Sequence, residues 1–285
     1  MSTALRIISV FCLCILTVSA FNTFPVKFVT GMTHRTVTLT CNTAAKEPIT
    51  WKLDDNYVEI PDVVVVNGKK LTLYDLQEDL TGNYTCWSED KLVDYTYVLL
   101  DMSPKITSSS ISCMAETFNC TSRISCTMKE AGYQHFRLRN EQDTSSWVSP
   151  SEDNKFYLTH STNPFAEESE PMVVVGEAVS SLNFYFKTSY SFYLRDIIKP
   201  GCPQVTVKKG QVVVDPPLTW TMPLSYYPLE HEIEWQQRGK KELEIRPFNS
   251  SIDIPKDTRK VRVRCRDSVL LSQWSDWTPW QNVSN

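Results

Sequence analysis

The sequence predicts an all-β protein built from consecutive β-sandwiches. Short runs of alternating apolar residues bounded by turns recur along the chain, and such alternation is typical of half-buried strands. Aromatic residues, which strands favour, are plentiful at 8 Trp, 12 Tyr and 12 Phe, whereas only 8 residues are glycine. At roughly 100 to 200 residues per domain, a chain of 285 residues has room for two or three domains.

The composition disfavours nucleic-acid binding and catalysis. The chain has 29 basic and 33 acidic residues, so it lacks the basic surplus that nucleic acid attracts. Glycine-rich loops that cradle phosphates are scarce, and neither a GxGxxG nor a GxSxG motif is present. The histidines are isolated, without metal-ligand spacing: His34, His135, His160 and His231. We therefore expect a protein that is not an enzyme, needs no cofactor and binds no nucleic acid.

Residues 1–20 predict a secretory signal peptide. A single basic residue, Arg6, precedes the apolar run 7–18, and Val18-Ser19-Ala20 fits cleavage before Phe21. This run is shorter than the ~20 residues that span a bilayer. No second run of spanning length follows, and the C-terminus has no lipid-anchor tail. We expect a secreted, extracellular product without a membrane anchor.

The remaining cysteines and the sequons agree with secretion. Of the 9 cysteines, Cys12 and Cys14 leave with the signal, and the seven that remain are an odd number. In an oxidising compartment an odd thiol is either free or bonded to another chain. Four Asn-x-Ser/Thr sequons predict glycosylation sites: Asn83, Asn119, Asn249 and Asn282.

Residues 21–102 predict an immunoglobulin-like sandwich. Cys41 and Cys86 flank Trp51, and Tyr84 stands two residues before the second cysteine, where a tyrosine corner is expected. These spacings predict a Cys41–Cys86 disulfide between the two sheets. Closing that loop stabilises the domain by about 4 kcal/mol in the chain-entropy model.

Two further β segments follow, at 103–199 and 200–285. A Ser-rich stretch at 107–112 leads into three closely spaced cysteines, Cys113, Cys120 and Cys126. Proline and glycine then cluster at 197–203, a composition typical of an interdomain boundary. Both segments repeat the alternating apolar pattern, and each has the length of one sandwich.

Tryptophans at three-residue spacing dominate the C-terminal segment, in Trp274-Ser275-Asp276-Trp277-Thr278-Pro279-Trp280. Just upstream, Arg262, Arg264 and Arg266 alternate and so share one face of a strand. Guanidinium planes stack on indole faces, and each exposed contact contributes ~0.5 to 1 kcal/mol. We expect an interleaved ladder that stiffens the domain rather than a binding site.

The sequence Trp-Ser-Asp-Trp-Thr resembles the WSxWS box of class I cytokine receptors, with Thr278 in place of the second serine. The two β segments before and around it resemble the paired fibronectin type III-like domains of a cytokine-binding module. Segments 164–171 and 194–200 resemble the same regions of secreted chains in this family. The resemblance covers the whole mature chain and implies an immunoglobulin-like sandwich followed by two fibronectin type III-like sandwiches.

The resemblance implies a secreted subunit of a heterodimeric immune cytokine. Such a subunit binds a four-helix-bundle alpha chain in the elbow between its second and third domains and acts on cell-surface cytokine receptors. An arginine of the alpha chain would enter a pocket formed by Asp267, Glu167 and Tyr226. A soluble class I cytokine receptor alpha chain or decoy shares this domain order and is the alternative. Homodimer formation is left open.

The family pattern also bears on the cysteines of the second and third segments. The family's interchain cysteine falls at Asn163 here, so that position cannot form a covalent dimer. Cys113 with Cys126 is the expected second disulfide. Cys120 takes the place of a family interface tyrosine and is our hypothesis for an interchain bond. Cys202 and Cys265 could pair or stay unpaired, because sequence does not show whether their Cα atoms lie within the ~7 Å that a disulfide requires.

Overall fold

The computed structural model is all-β, which confirms the predicted fold class. It describes residues 23–44, 48–58, 64–103, 110–117, 123–142, 146–159, 170–208 and 210–283. These residues form two compact units. The predicted signal peptide lies outside the described residues.

The first unit comprises residues 1–102, 132–134 and 179–185. Its strands are, in chain order, β1 (Phe28–Gly31), β2 (Val37–Thr40), β3 (Thr50–Leu53), β4 (Asn56–Tyr57), β5 (Val64–Asn67), β6 (Lys70–Leu73), β7 (Gly82–Ser88) and β8 (Lys91–Asp101). One sheet has the order β2-β6-β5, and the other has β8-β7-β3-β4 with β1 parallel to β8. When the chain returns to this unit, Phe184 and Tyr185 pair in parallel with the end of β8.

The immunoglobulin-like features predicted for this unit are present. Cys41, just after β2, is bonded to Cys86 of β7 and so joins the two sheets. Trp51 of β3 is buried and lies directly opposite Cys86 in the strand pairing. The hydroxyl of Tyr84 donates a hydrogen bond to the Leu80 carbonyl oxygen at 2.9 Å, which is the tyrosine corner.

The second unit comprises residues 103–131, 135–178 and 186–285. Its strands are β9 (Ile111–Met114), β10 (Arg123–Met128), β11 (His135–Asn140), β12 (Phe156–Thr159), most of β13 (Met172–Val179), most of β14 (Phe184–Phe192), β15 (Gln204–Lys208), β16 (Gln211–Asp215), β17 (Leu229–Gln237), β18 (Leu243–Phe248), β19 (Ser251–Asp253), β20 (Thr258–Asp267) and β21 (Gln281–Asn282). The predicted second and third segments both lie in this unit. Their treatment as separate domains, with the boundary at 199–200, stays a prediction.

The strands of the second unit form two fibronectin type III-like sandwiches. The second sandwich packs sheet β12-β10-β9 with β11-β13-β14, and the third packs β15-β16-β19 with β18-β17-β20-β21. Cys113 and Cys126 face each other across β9 and β10 and are bonded. The core of the third sandwich centres on buried Trp235, Val212 and Val261. The chain thus follows the predicted order of one immunoglobulin-like and two fibronectin type III-like sandwiches.

We predict that Tyr84→Phe destabilises the first unit by roughly 1 to 2 kcal/mol, because a buried hydrogen bond is lost. Burial raises the pKa of Tyr84, so its phenol remains a donor at neutral pH. The matched control is Tyr57→Phe, which removes a phenol from a residue that is 66% exposed. Urea unfolding that is monitored by hydrogen exchange of the amides in residues 82–88 gives the stability of both variants. Equal midpoints for the two variants would contradict the role of the tyrosine corner.

Candidate functional site

The peptide between the second and third sandwiches is hydrogen-bonded to both. On the second sandwich, Ala115 N donates to Ile197 O at 3.0 Å, and Lys199 N donates to Ala115 O at 2.8 Å. On the third sandwich, Gln273 N donates to Ile198 O at 3.3 Å. Lys199 Nζ also pairs with Asp276 Oδ1 at 2.8 Å. These bonds fix the path of the chain through the junction, which we call the elbow.

A threonine pair makes a second connection at the elbow. The hydroxyls of Thr117 and Thr221 are hydrogen-bonded to each other, and Thr221 N donates to Thr117 Oγ1 at 2.9 Å. Thr117 follows β9 of the second sandwich, and Thr221 lies in the loop 216–228 between β16 and β17 of the third. The loop 216–228 is therefore held at the elbow.

The loop 216–228 has a fixed backbone and exposed side chains. Buried Trp220 donates from Nε1 to Tyr227 O at 2.9 Å, and Tyr226 N donates to Pro223 O at 3.0 Å. These bonds turn the chain back on itself. The Tyr226 side chain is left 79% exposed. The loop thus presents an aromatic side chain whose backbone is already ordered.

A second loop, 268–273, stands beside the first and is ordered by Asp267. Asp267 Oδ1 accepts hydrogen bonds from Val269 N and Leu270 N, both at 2.8 Å. Ser268 N donates to Pro228 O at 3.0 Å, which ties the two loops together. Both loops expose apolar side chains, and we call this set the elbow patch: Leu218, Met222, Leu224, Tyr226, Val269, Leu270 and Leu271.

The predicted partner-binding residues occupy different environments. Tyr226 is exposed within the elbow patch. Asp267 lies next to that patch but is only 3% exposed, and Oδ1 of its carboxylate holds the loop backbone. Glu167 lies outside the described residues. The structure therefore brings Tyr226 and Asp267 to the same end of the third sandwich, with only Tyr226 at the surface.

The predicted tryptophan and arginine ladder is present in the third sandwich. Arg264 lies between two indoles, with its guanidinium carbon 4.8 Å from the centre of the Trp274 ring and 4.5 Å from that of Trp277. Arg262 lies similarly between Trp277 and Trp280, and Arg266 lies over Trp274. Cations and indoles therefore alternate along one face of β20.

Two hydroxyls hold the tryptophan segment to β20. Ser275 Oγ accepts from Cys265 N at 3.0 Å, and Ser275 N donates to Cys265 O at 2.8 Å. Thr278 repeats this arrangement on Val263, with distances of 3.0 and 2.9 Å. Because Thr278 needs only its hydroxyl and backbone for this, threonine serves as well as serine at the second position of the box.

Three glutamates of β17 complete the ladder, and the sequence analysis missed them. Each arginine is paired with the glutamate opposite it on the neighbouring strand: Arg262 with Glu234, Arg264 with Glu232, and Arg266 with Glu230. Arg264 donates from both Nε and Nη2 to Glu232 Oε2, at 2.8 and 2.6 Å. The signal was available, because glutamate alternates at 230, 232 and 234 as arginine does on β20.

A cavity of about 180 Å³ lies beside the loop 216–228. Its lining includes Leu224, Pro228 and the ring of His231. His231 is buried and stacks on Phe248 with ring centres 5.5 Å apart. Burial lowers the pKa of His231, against smaller upward effects of the Asn249 backbone and the Glu230 charge. The ring is therefore neutral at physiological pH.

The remaining cysteines and the sequon asparagines differ in their exposure to solvent. Among the described residues Cys202 and Cys265 are the thiols outside disulfides, the first exposed and the second buried. Asn249 and Asn282 are exposed, whereas Asn83 is half-buried in β7. Cys120 and Asn119 lie outside the described residues. The assignments of the glycan sites and of an interchain cysteine remain predictions.

The described part of the chain offers neither a metal cluster nor a membrane-spanning helix. No group of three or more His, Cys, Asp or Glu side chains there is arranged to hold a metal ion. No helix among the same residues is long and apolar enough to cross a membrane.

Interleukin-12 subunit beta proteins of several mammals match 85% of this chain. Interleukin-12 subunit beta of Sus scrofa is 30% identical over 281 residues, which cover 85% of this chain and 84% of the relative. The proteins of the same name from Homo sapiens and Felis catus are 28% and 27% identical, each over 85% of this chain and 84% of the relative. No protein-family model matches the chain.

We predict that Arg264→Lys destabilises the third sandwich by roughly 1 to 2 kcal/mol. A lysine ammonium cannot form the two-nitrogen contact with Glu232 and stack between two indoles at once. The matched control is Arg259→Lys near the start of the same strand, where the side chain is exposed and outside the ladder. That change should stay within about 0.5 kcal/mol of the wild type. Thermal unfolding of the secreted chain measures both, and equal effects would contradict the importance of the ladder.

Proposed function

This chain belongs to the interleukin-12 subunit beta family, and from that membership we propose that it is a secreted, non-catalytic cytokine subunit. It pairs with a four-helix-bundle alpha chain, and the resulting heterodimer acts on cell-surface receptors. The family relationship is supported by the 30% identity over most of both chains. The all-β order of one immunoglobulin-like and two fibronectin type III-like sandwiches agrees with this proposal.

The elbow patch is the observation that carries the proposed pairing. Two loops that are joined by the Ser268–Pro228 hydrogen bond expose apolar side chains, on backbones that are held by Asp267 and Trp220. An ordered apolar patch can accept the apolar face of a helix without first losing loop entropy. Tyrosine adds a large contact area with a polar tip, and for that reason it is frequent among residues that dominate binding. Tyr226 is therefore the proposed anchor.

The charged part of the proposed site consists of Asp267 and Glu167. In this proposal an arginine of the alpha chain meets Tyr226 and Glu167. Asp267 contributes chiefly by ordering loop 268–273, because its carboxylate is buried beneath that loop. A direct contact between the partner's arginine and Asp267 would require Val269 and Leu270 to move aside. Such a desolvated charge pair would be strong, because both groups would be hydrogen-bonded.

Secretion and receptor binding complete the proposal. The predicted signal at 1–20 and two disulfides support passage through an oxidising compartment. The immunoglobulin-like unit is the proposed contact for one signalling receptor. Its exposed apolar side chains include Tyr57, Val65 and Val66. Recognition by surfaces, rather than a chemical step, is the mechanism.

We predict that Tyr226→Ala weakens heterodimer formation at least about 30-fold, the equivalent of ~2 kcal/mol for the loss of a binding anchor. The matched control is Leu243→Ala on β18, which removes an apolar side chain that is 45% exposed and lies outside the elbow patch. Dissociation constants for a four-helix-bundle alpha chain from the same species measure both. Equal affinities for the two variants would refute the elbow patch as the site. No measurable binding of the wild-type chain would favour a soluble receptor.

We predict that Cys120→Ser abolishes the covalent heterodimer while noncovalent pairing persists. Cys120 is the proposed interchain cysteine, because it occupies the place of an interface tyrosine in the family pattern. Non-reducing gels of the co-secreted chains show the covalent band, and size-exclusion chromatography shows the noncovalent complex. An unchanged covalent band in Cys120→Ser would contradict this assignment.

A further inference from the structure

Cys202 and Cys265 lie in two segments that meet at the elbow. Cys202 follows Gly201 in the peptide that joins the second and third sandwiches and is exposed. Cys265 lies near the end of β20 and is completely buried. They are 63 residues apart in the chain, so their proximity is a product of the fold.

The two thiols contact the same small region. Cys265 Sγ lies 3.7 Å from Gly201 O, the carbonyl that precedes Cys202. Cys202 Sγ lies 3.4 Å from Asp276 O. Asp276 directly follows Ser275, whose Oγ is bonded to both Cys265 N and Asp276 O, at 3.0 and 2.9 Å. Cys265 therefore contacts the residue before Cys202, and Cys202 contacts the residue after the serine that is bonded to Cys265.

These contacts limit the separation of the two residues. Within a planar trans peptide, a carbonyl oxygen lies roughly 2.8 Å from the next Cα. The 3.7 Å contact therefore places Cys265 Sγ at most about 6.5 Å from the Cα atom of Cys202. Disulfide-bonded cysteines have Cα atoms about 4.4 to 6.8 Å apart. Because a cysteine sulfur lies roughly 2.8 Å from its own Cα, the two Cα atoms lie at most about 9 Å apart, a limit that includes the disulfide range. For the bond to form, the exposed Cys202 side chain has to turn toward Cys265, and the two Cα atoms have to lie within that range.

We propose that Cys202 and Cys265 form a third intrachain disulfide, which fastens the interdomain peptide to strand β20. The oxidant is a protein or glutathione disulfide of the secretory compartment. The Cys202 thiolate attacks one sulfur of this oxidant and releases the first reduced thiol. The Cys265 thiolate then attacks the Cys202 sulfur and releases the second. Two cysteine thiols and one external disulfide thus become one internal disulfide and two external thiols.

Burial of the thiols affects how fast they exchange in the folded chain. Burial raises the pKa of Cys265 to about 12, against a lowering effect of the Ser275 side chain. A smaller upward contribution comes from Cys202, which is consistent with their proximity. Burial also raises the pKa of Cys202. Since the thiolate is the reactive form, exchange in the folded chain is slow at neutral pH.

The bond would reinforce contacts that already hold the elbow peptide. Gln273 N to Ile198 O and Lys199 to Asp276 fasten the same peptide to the third sandwich, a few residues before Cys202. The bond would also use two of the seven cysteines that remain after signal removal. With Cys41–Cys86 and Cys113–Cys126 formed, Cys120 is left as the single unpaired thiol.

Peptide mapping of the secreted full-length chain tests the proposal without any variant. The chain is alkylated in denaturant without reductant and digested with chymotrypsin, because trypsin would leave Cys265 on the dipeptide Cys265-Arg266. The expected result is a linked pair of peptides that contain Cys202 and Cys265 and separate on reduction. Alkylation of both residues in the unreduced chain would overturn the proposal, as would a bond from either residue to another chain or to a small thiol.

Serine variants give a second, independent readout. Cys202→Ser should make Cys265 alkylatable in denaturant, and Cys265→Ser should do the same for Cys202. Each should lower the thermal midpoint of the second unit by roughly 5 to 15 °C, the scale expected for loss of a long-range disulfide. The double variant should lose no more than the single variants, because the bond is lost only once. Additive losses would overturn the proposal. Heterodimer formation is not used as a readout, so this test is separate from that of the proposed function.

Discussion

The third sandwich depends on the neutralisation of three arginines on one face of β20. Side chains on alternate residues of a strand point to the same side, so their like charges would repel one another. Two neighbouring elements, strand β17 and the segment 274–280, together remove this repulsion. The glutamates of β17 supply opposite charges across the strand pairing, and the indoles of 274–280 cover the guanidinium planes. Neither neighbour would be sufficient alone, because a carboxylate leaves the planes open to water and an indole leaves the charge uncompensated.

The ladder also determines where the elbow loops stand. Ser275 and Thr278 fix the tryptophan segment to the backbone of β20, and Asp267 ends the same strand by folding loop 268–273 onto itself. Asp276 lies between Ser275 and Thr278 in the sequence and pairs with Lys199 of the interdomain peptide. One strand thus positions the ladder, a loop of the elbow patch and the junction between two sandwiches. The ladder and the elbow are therefore attached to the same strand.

Local sequence patterns predicted the fold and the ladder because both depend on the spacing of residues along the chain. The Cys41, Trp51, Tyr84 and Cys86 pattern determines sheet, core and corner positions within one unit. The burial of Asp267 was not predictable in this way. Its environment depends on how the next three residues turn, and an acidic residue before an apolar run has no spacing rule that distinguishes a loop-capping carboxylate from an exposed one. The glutamate partners of the arginines were missed for a different reason. Their alternation at 230, 232 and 234 shows that they share one face of a strand, but not that this strand lies opposite the arginines, since strand pairing is nonlocal.

The elbow patch combines two properties that normally oppose each other. Exposed loops adapt to partners but lose conformational entropy when they bind, whereas rigid surfaces avoid that loss but are usually polar. Here the backbone of both loops is already fixed, by Trp220 in one and Asp267 in the other, while the side chains face outward. Apolar side chains that an ordered backbone holds exposed cost free energy in water. This cost is recovered only when a partner covers them. In the proposed pairing, the buried carboxylate of Asp267 acts indirectly, because it orders the loop that exposes Val269 and Leu270.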